Sequence, residues 1–152
     1  MDVGCYPVNL FRAVYGRSPQ SVASRVHVTG PTGVDMATNA VLDYGDGCFG
    51  VLDSSFCLPP RQSAEIIGEQ GMLTIPVPFT PGNYDMTVFV SKNGQMTEQH
   101  FSGLDQYKLE VEHFAQCIRS QQDPVLSPGE SLDNLATIEA IYAAAGLDWP
   151  IV

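Results

Sequence analysis

Asp2 and Tyr6 stand four residues apart in the opening stretch MDVGCYPVNLFRAVYG. If a helix starts near Asp2, both side chains project from one face. A carboxylate beside a phenol suits the transfer of a proton to or from a hydroxyl or carbonyl oxygen. A phenol ordinarily ionises near about pH 10, so one that acts at neutral pH needs a cation close by. No lysine lies near Tyr6 in the sequence. On spacing alone a plainer alternative stays open: Asp2 caps the helix and Tyr6 packs against it. Asn9 and Arg12 lie one and two turns further along. They are candidate contacts for a hydroxyl-rich substrate, with solvated or structural roles as the alternative.

Other chemistry finds less support. His27, His100 and His113 are not spaced as a metal site on one element, and VEHFAQ does not match H-E-x-x-H. No G-x-S-x-G elbow is present. The four cysteines, Cys5, Cys48, Cys57 and Cys117, form no C-x-x-C pair and read as small buried hydrophobes. GDGCFG, with Gly45, Gly47 and Gly50, matches G-x-G-x-x-G by letter. The dinucleotide fingerprint also needs a following helix whose N-terminus faces the pyrophosphate. Here the continuation, FGVLDSSF, is β-rich, so Asp46-Gly47 reads as a hairpin turn. No residue of this chain is assigned to cofactor binding.

The chain has 152 residues, the length of one domain, and a net charge of −10 from 7 basic and 17 acidic residues. That sign argues against nucleic acid and anionic membranes as partners. No apolar run is long enough to span a bilayer, and the N-terminus has no signal-peptide pattern, which leads to an expected place in the cytoplasm.

The elements that must position these residues follow from periodicity. Residues 7–15 predict a short helix, with Pro7 in its first turn, Val8, Phe11 and Tyr15 on one face, and Gly16 as its stop. From about Gln20 to Ser102 the pattern is that of strands. SVASRVHVTG alternates, ATNAVLDY and CFGVLDSSF flank a Gly/Asp turn, SAEIIGEQGMLTIPV breaks at Gly68–Gly71, and Asn93-Gly94 marks a further hairpin. Val41, Leu42, Phe49, Val51, Leu52 and Phe56 put apolar residues on both parities, so one sheet face is expected to be an association surface. Two helices close the chain. One places Leu104, Val111, Phe114 and Ile118 on a stripe. The other opens on a capping box, Ser127-Pro128-Gly129-Glu130, and buries Leu135, Ile138, Tyr142 and Ala145. The expected fold class is α+β: a large, mostly antiparallel open sheet with helices packed on one face.

DVGCYPVNLFRAVYG closely resembles the D-x-G-x-[HY] segment of the glucose–fructose oxidoreductase / inositol dehydrogenase (Gfo/Idh/MocA) family. GVDMATNAVLDYGDGCFGVLDSSF, EIIGEQGMLTIPVPF and YKLEVEHFAQCIRSQQDPVLSPGESLDNLATIEAIYAAA follow in the order of that family's C-terminal domain. The resemblance implies a two-domain NAD(P)-dependent oxidoreductase. A Rossmann domain binds NAD or NADP, and a C-terminal α/β domain with a large open sheet covers the substrate and mediates oligomerisation. It places the family's Asp on Asp2 and its acid/base on Tyr6, in the branch with glucose–fructose oxidoreductase, dihydrodiol dehydrogenases and xylose dehydrogenase-like enzymes. The family's lysine partner belongs to an E-K-P segment of the Rossmann domain, and no such segment occurs here.

The expectation is therefore a substrate-binding and oligomerisation domain over residues 1–152, with the Rossmann domain absent from the chain. It is expected to act on the CH–OH of a sugar, polyol or diol and to be inactive alone. It should hold no NAD(P) by itself and associate with its own copies through the sheet face. The rival is a stand-alone binding or oligomerisation module without catalysis.

Overall fold

The computed structural model describes residues 1–29, 33–80, 82, 84–103 and 105–147. Its elements, in chain order, are α1 (Cys5–Tyr15), β1 (Ser21–Thr29), β2 (Val34–Gly45), β3 (Cys48–Ser55), β4 (Ala64–Gly68), β5 (Gly71–Ile75), β6 (Met86–Lys92), β7 (Gln95–Phe101), α2 (Gln106–Ser120) and α3 (Pro128–Ala144). The fold is α+β, and among the described residues every strand pairing is antiparallel. The strands form a three-stranded sheet, β1-β2-β3, and a four-stranded sheet, β4-β5-β6-β7. Contacts divide the chain into one unit of residues 1–59 and 126–152 and another of residues 60–125.

In the first unit, β2 is the central strand and its register decides what is buried. Ala40 stands opposite Ser24 of β1 and Leu52 of β3, and this row faces inward. Alternation then sends Ala40, Leu42 and Tyr44 into the core, and Val41 out. Val8 of α1 and Ile138, Ile141 and Tyr142 of α3 cover the inward side. The opposite side carries Val41, Phe49 and Val51, all exposed. Residues 46–47 form the two-residue turn expected at GDGCFG. Gly45 pairs with Cys48, and Asp46 and Gly47 have φ of 54° and 76°, the left-handed pair that this hairpin needs.

The second unit repeats the device at Asn93-Gly94, with φ of 52° and 75° between the Lys92–Gln95 pair. Helix α2 begins on Asp105, whose carboxylate accepts from the Tyr107 and Lys108 amides. Val111, Phe114 and Ile118 share its stripe as expected and are exposed; Leu104 lies outside the described residues.

Two expectations need correction. Leu135 is 42% exposed, and the buried face of α3 runs instead through Thr137, Ile138, Ile141 and Tyr142. Large and small apolar residues line more than one side of this helix, so periodicity does not single out a face. Of the four free cysteines only Cys117 is fully buried, and Cys57 is exposed just beyond β3. No helix among the described residues is long and apolar enough to cross a membrane.

Candidate active site

The candidate residues occupy the head of α1, within the first unit. The chain enters this helix already wound. The Cys5 amide donates to the Met1 carbonyl at 3.2 Å, the i to i−4 bond of an α-turn, and Gly4 has helical angles of φ −76° and ψ −15°. Asp2 and Tyr6 thus stand one helical turn apart, as the spacing predicts, and both are exposed. Asn9 follows Tyr6 at i+3 and is half-buried.

Gly4 explains how the turn sits so close to the sheet. A Cβ there would stand 3.0 Å from the Ser54 hydroxyl of β3 and would strike the Met1 side chain. The opening D-V-G therefore needs its glycine for close approach rather than for an unusual φ. Cys5 lies between the two candidates, and its thiol donates to the Asp2 carbonyl at 2.9 Å. Burial first, and the negative charge of Asp2 second, push the Cys5 thiol above its ordinary pKa. It stays protonated at neutral pH and is a poor nucleophile. At the other end, Gly16 closes α1 in the left-handed conformation (φ 64°), and its amide donates to the Arg12 carbonyl.

Arg12 lies away from this exposed end. It is 6% exposed, and its Nε and Nη2 donate to the two carboxylate oxygens of Glu130 at 2.8 and 2.9 Å. Nη2 also meets Asp133 at 3.0 Å, and Nη1 donates to the Ser18 hydroxyl at 3.1 Å. The guanidinium of Arg12, a candidate substrate contact, is bonded to α3 in an ion pair between helices. Glu130 is correspondingly drawn out of the expected capping box. Its backbone amide still donates to the Ser127 hydroxyl, while its carboxylate turns to Arg12. The bonds from Arg12 hold the Glu130 carboxyl below its ordinary pKa, and that same bond raises Arg12. Beneath Arg12, the ring of Tyr44 stacks on Tyr15 at 4.1 Å, and burial, with Tyr15 next, pushes the Tyr44 phenol up to about 12. Tyr44 is a core residue with no acid/base role at neutral pH.

Two of the three histidines are engaged locally. His100 bonds to Thr87 at 2.9 Å across β6 and β7, and His113 Nε2 accepts from the Val125 amide at 3.1 Å. Among the described residues, no group of three or more His, Cys, Asp or Glu side chains is placed to hold a metal ion. NAD(P) finds no cradle at the glycine motif, where strands lie on both sides of the turn and no helix N-terminus follows.

Residues 1–74 match the GFO/IDH/MocA C-terminal domain. Over these residues, just under half of its length, the chain is similar to that family. It is 32% identical over 149 residues to D-xylose 1-dehydrogenase (NADP(+)) 2 of Haloferax volcanii, covering 95% of this chain and 45% of that protein. It is 28% identical over 151 residues to trans-1,2-dihydrobenzene-1,2-diol dehydrogenase of Xenopus laevis, covering 91% of this chain and 43% of the relative. The chain thus spans less than half the length of these relatives. Its fold is that of the aldose-aldose oxidoreductase of Caulobacter crescentus, with a TM-score of 0.80 at 21% identity over 94% of this chain and 44% of that one. A 3-ketoreductase from Actinomadura kijaniata, solved with NADP and TDP-benzene, superposes with a TM-score of 0.84 at 22% identity over 94% of this chain and 44% of that one.

Proposed function

We propose that residues 1–152 are the substrate-covering C-terminal domain of an NAD(P)-dependent oxidoreductase, acting on the CH–OH of a sugar, polyol or diol. One observation carries the reading. The exposed Asp2–Tyr6 turn heads a helix anchored on a sheet, in a chain that aligns over 95% of its length with a D-xylose 1-dehydrogenase. The nicotinamide would exchange a hydride with the substrate carbon and would be held by a dinucleotide-binding half outside this chain. Within this chain, the Tyr6 hydroxyl exchanges a proton with the substrate oxygen, Asp2 orders that hydroxyl or the substrate beside it, and Asn9 contacts a neighbouring hydroxyl. Arg12 is left out of this set because its donors serve α3. Alone, the chain lacks the cofactor and is inactive.

The proposal includes self-association through the outer side of β1-β2-β3. Val41 and Val51 pair across the strands there, and Val51 is 73% exposed. It also includes a place in the cytoplasm, where a nicotinamide pool would serve the parent enzyme.

Tyr6→Phe in the parent enzyme tests the reading, since it removes the hydroxyl and keeps the ring. A fall in kcat of about 10²–10⁴-fold, the usual worth of a positioned acid or base, is expected, with cofactor affinity unchanged. Full activity in that variant would return Tyr6 to a packing role.

A further inference from the structure

Helix α1 carries the proposed proton-transfer residues at its head and a buried cation in its C-terminal half. Its inward stripe is Val8, Phe11, Arg12 and Tyr15, of which Val8 and Arg12 are fully buried. Val8, Cys5, Phe11 and Tyr15 seat the helix by apolar contact, which has little directional preference, and the Tyr15 hydroxyl adds one directional bond, to the Phe49 carbonyl of β3 at 2.8 Å. A guanidinium fork on a carboxylate is directional, because two parallel N–H···O bonds must both be made. Here Nε and Nη2 engage both oxygens of Glu130, Nη2 reaches Asp133 as well, and Nη1 ties the chain just past the helix at Ser18.

The far end of this clamp is itself fixed. Ile138, Ile141 and Tyr142 of α3 lie in the core, and the Ser24 hydroxyl of β1 donates to the Ile141 carbonyl at 2.5 Å. Glu130 is held at the start of α3, where its amide donates to Ser127. A continuous series of contacts therefore runs from the sheet through α3 and Glu130 to Arg12, and along α1 to Tyr6. Tyr6 and Arg12 are six residues apart on one rigid helix of 11 residues, so a roll at Arg12 is carried to Tyr6 in full.

We infer that Glu130 is a positioning residue for the proposed site: through the Arg12 fork, and together with the Tyr15–Phe49 bond, it sets the roll of α1 and so the direction in which Tyr6 is presented. The inference rests on the reading of Tyr6 as acid/base only for its catalytic consequence. The orientation itself is a property of the 152-residue chain.

Ring-labelled tyrosine NMR of that chain reads it directly, with the Tyr6 signal assigned by its loss in Tyr6→Phe. Glu130→Gln keeps the size and the backbone bond to Ser127 but removes the charge from the fork. Arg12→Lys keeps the cation and removes the fork, and it serves if Glu130→Gln does not fold. The expected result is a displaced Tyr6 ring signal in both variants, an unchanged signal from the core ring Tyr142, and partial recovery in Glu130→Asp. Unmoved Tyr6 signals in variants whose melting temperature has dropped would show a pair that stabilises without orienting, and would overturn the inference. In the parent enzyme, Glu130→Gln is expected to lower kcat by up to about 10²-fold at unchanged cofactor affinity, the scale of a small misplacement of reacting groups. Activity unaffected by Tyr6→Phe would sink the acid/base reading alone and leave the NMR result standing.

Discussion

Arg12 and Glu130, 118 residues apart in sequence, form a two-pronged ion pair with N···O distances of 2.8 and 2.9 Å, and it joins the first helix to the last. The pattern that exposes it is a charged residue on an apolar stripe. Val8, Phe11, Arg12 and Tyr15 fall at i, i+3, i+4 and i+7, the positions of a buried helix face. An arginine there must find a carboxylate or leave a buried charge unpaired.

The pair should make stability depend on pH in one direction. Arg12 stays charged throughout, so Glu130 is the group that titrates. Its folded pKa is lowered by the bonds from Arg12. A depressed carboxylate contributes stability that is fully present above its unfolded pKa of about 4.3 and is lost as pH falls through the lower folded value. Melting temperatures of the wild type and Glu130→Gln should therefore differ by a constant amount above about pH 5 and converge below about pH 4. A gap that persists unchanged to the acid limit would mean that the ion pair is not what the glutamate supplies.

Helix α3 offers a paired test of its corrected face. Ile141 is fully buried and Leu135 is 42% exposed. Ile141→Ala should cost about 2–5 kcal/mol, and Leu135→Ala distinctly less, because little cavity forms at a half-exposed position. Ser127→Ala should cost about 1 kcal/mol through the lost bond to the Glu130 amide. Urea unfolding of the three variants ranks them, and a larger loss at Leu135 than at Ile141 would restore the face that periodicity suggested.

The contrast shows which features were legible in the sequence. Turn chemistry is local, so Asp46-Gly47 and Asn93-Gly94 announce their hairpins, and the positive φ values bear them out. The helix ends at Gly16 and Ser127 are local in the same sense. Within the site, the one-turn spacing of Asp2 and Tyr6 follows from the winding of residues 1–5. What the sequence hides depends on distant partners. Glu130 has a good local use in a capping box and leaves it for Arg12, and the space beside Gly4 is filled by the Met1 side chain and, 3.0 Å from where a Cβ would stand, by the Ser54 hydroxyl of β3.

The outer side of the three-stranded sheet should govern association. Val41 and Val51 are cross-strand partners, and Phe49 lies opposite Asp43 on the same side. Val51→Lys would put a charge in the middle of this patch. Because Val51 is already largely exposed, the monomer's stability should change little. Light scattering is expected to show dimers or larger species for the wild type and monomers for the variant. A wild type that stays monomeric over a wide concentration range would remove this surface from the proposal.

The chain by itself should not bind the cofactor that its parent is proposed to use. Pyrophosphate binding in a dinucleotide fold needs backbone amides at a helix N-terminus, reached through a glycine turn. GDGCFG supplies the glycines in another geometry: Gly45 and Cys48 are paired across a two-residue turn, Gly50 sits in β3 opposite Leu42, and the chain continues as strand to Ser55. Gly50 also has its own reason to be glycine, since a Cβ there would press to 2.9 Å on the Phe11 ring of α1. The net charge of −10 adds general repulsion toward a phosphate-bearing ligand. Titration calorimetry of the 152-residue chain with NAD and NADP should show no binding at micromolar concentrations. Micromolar affinity for either would overturn the assignment of the cofactor to a separate half, and with it the division of labour that leaves only proton transfer to Tyr6.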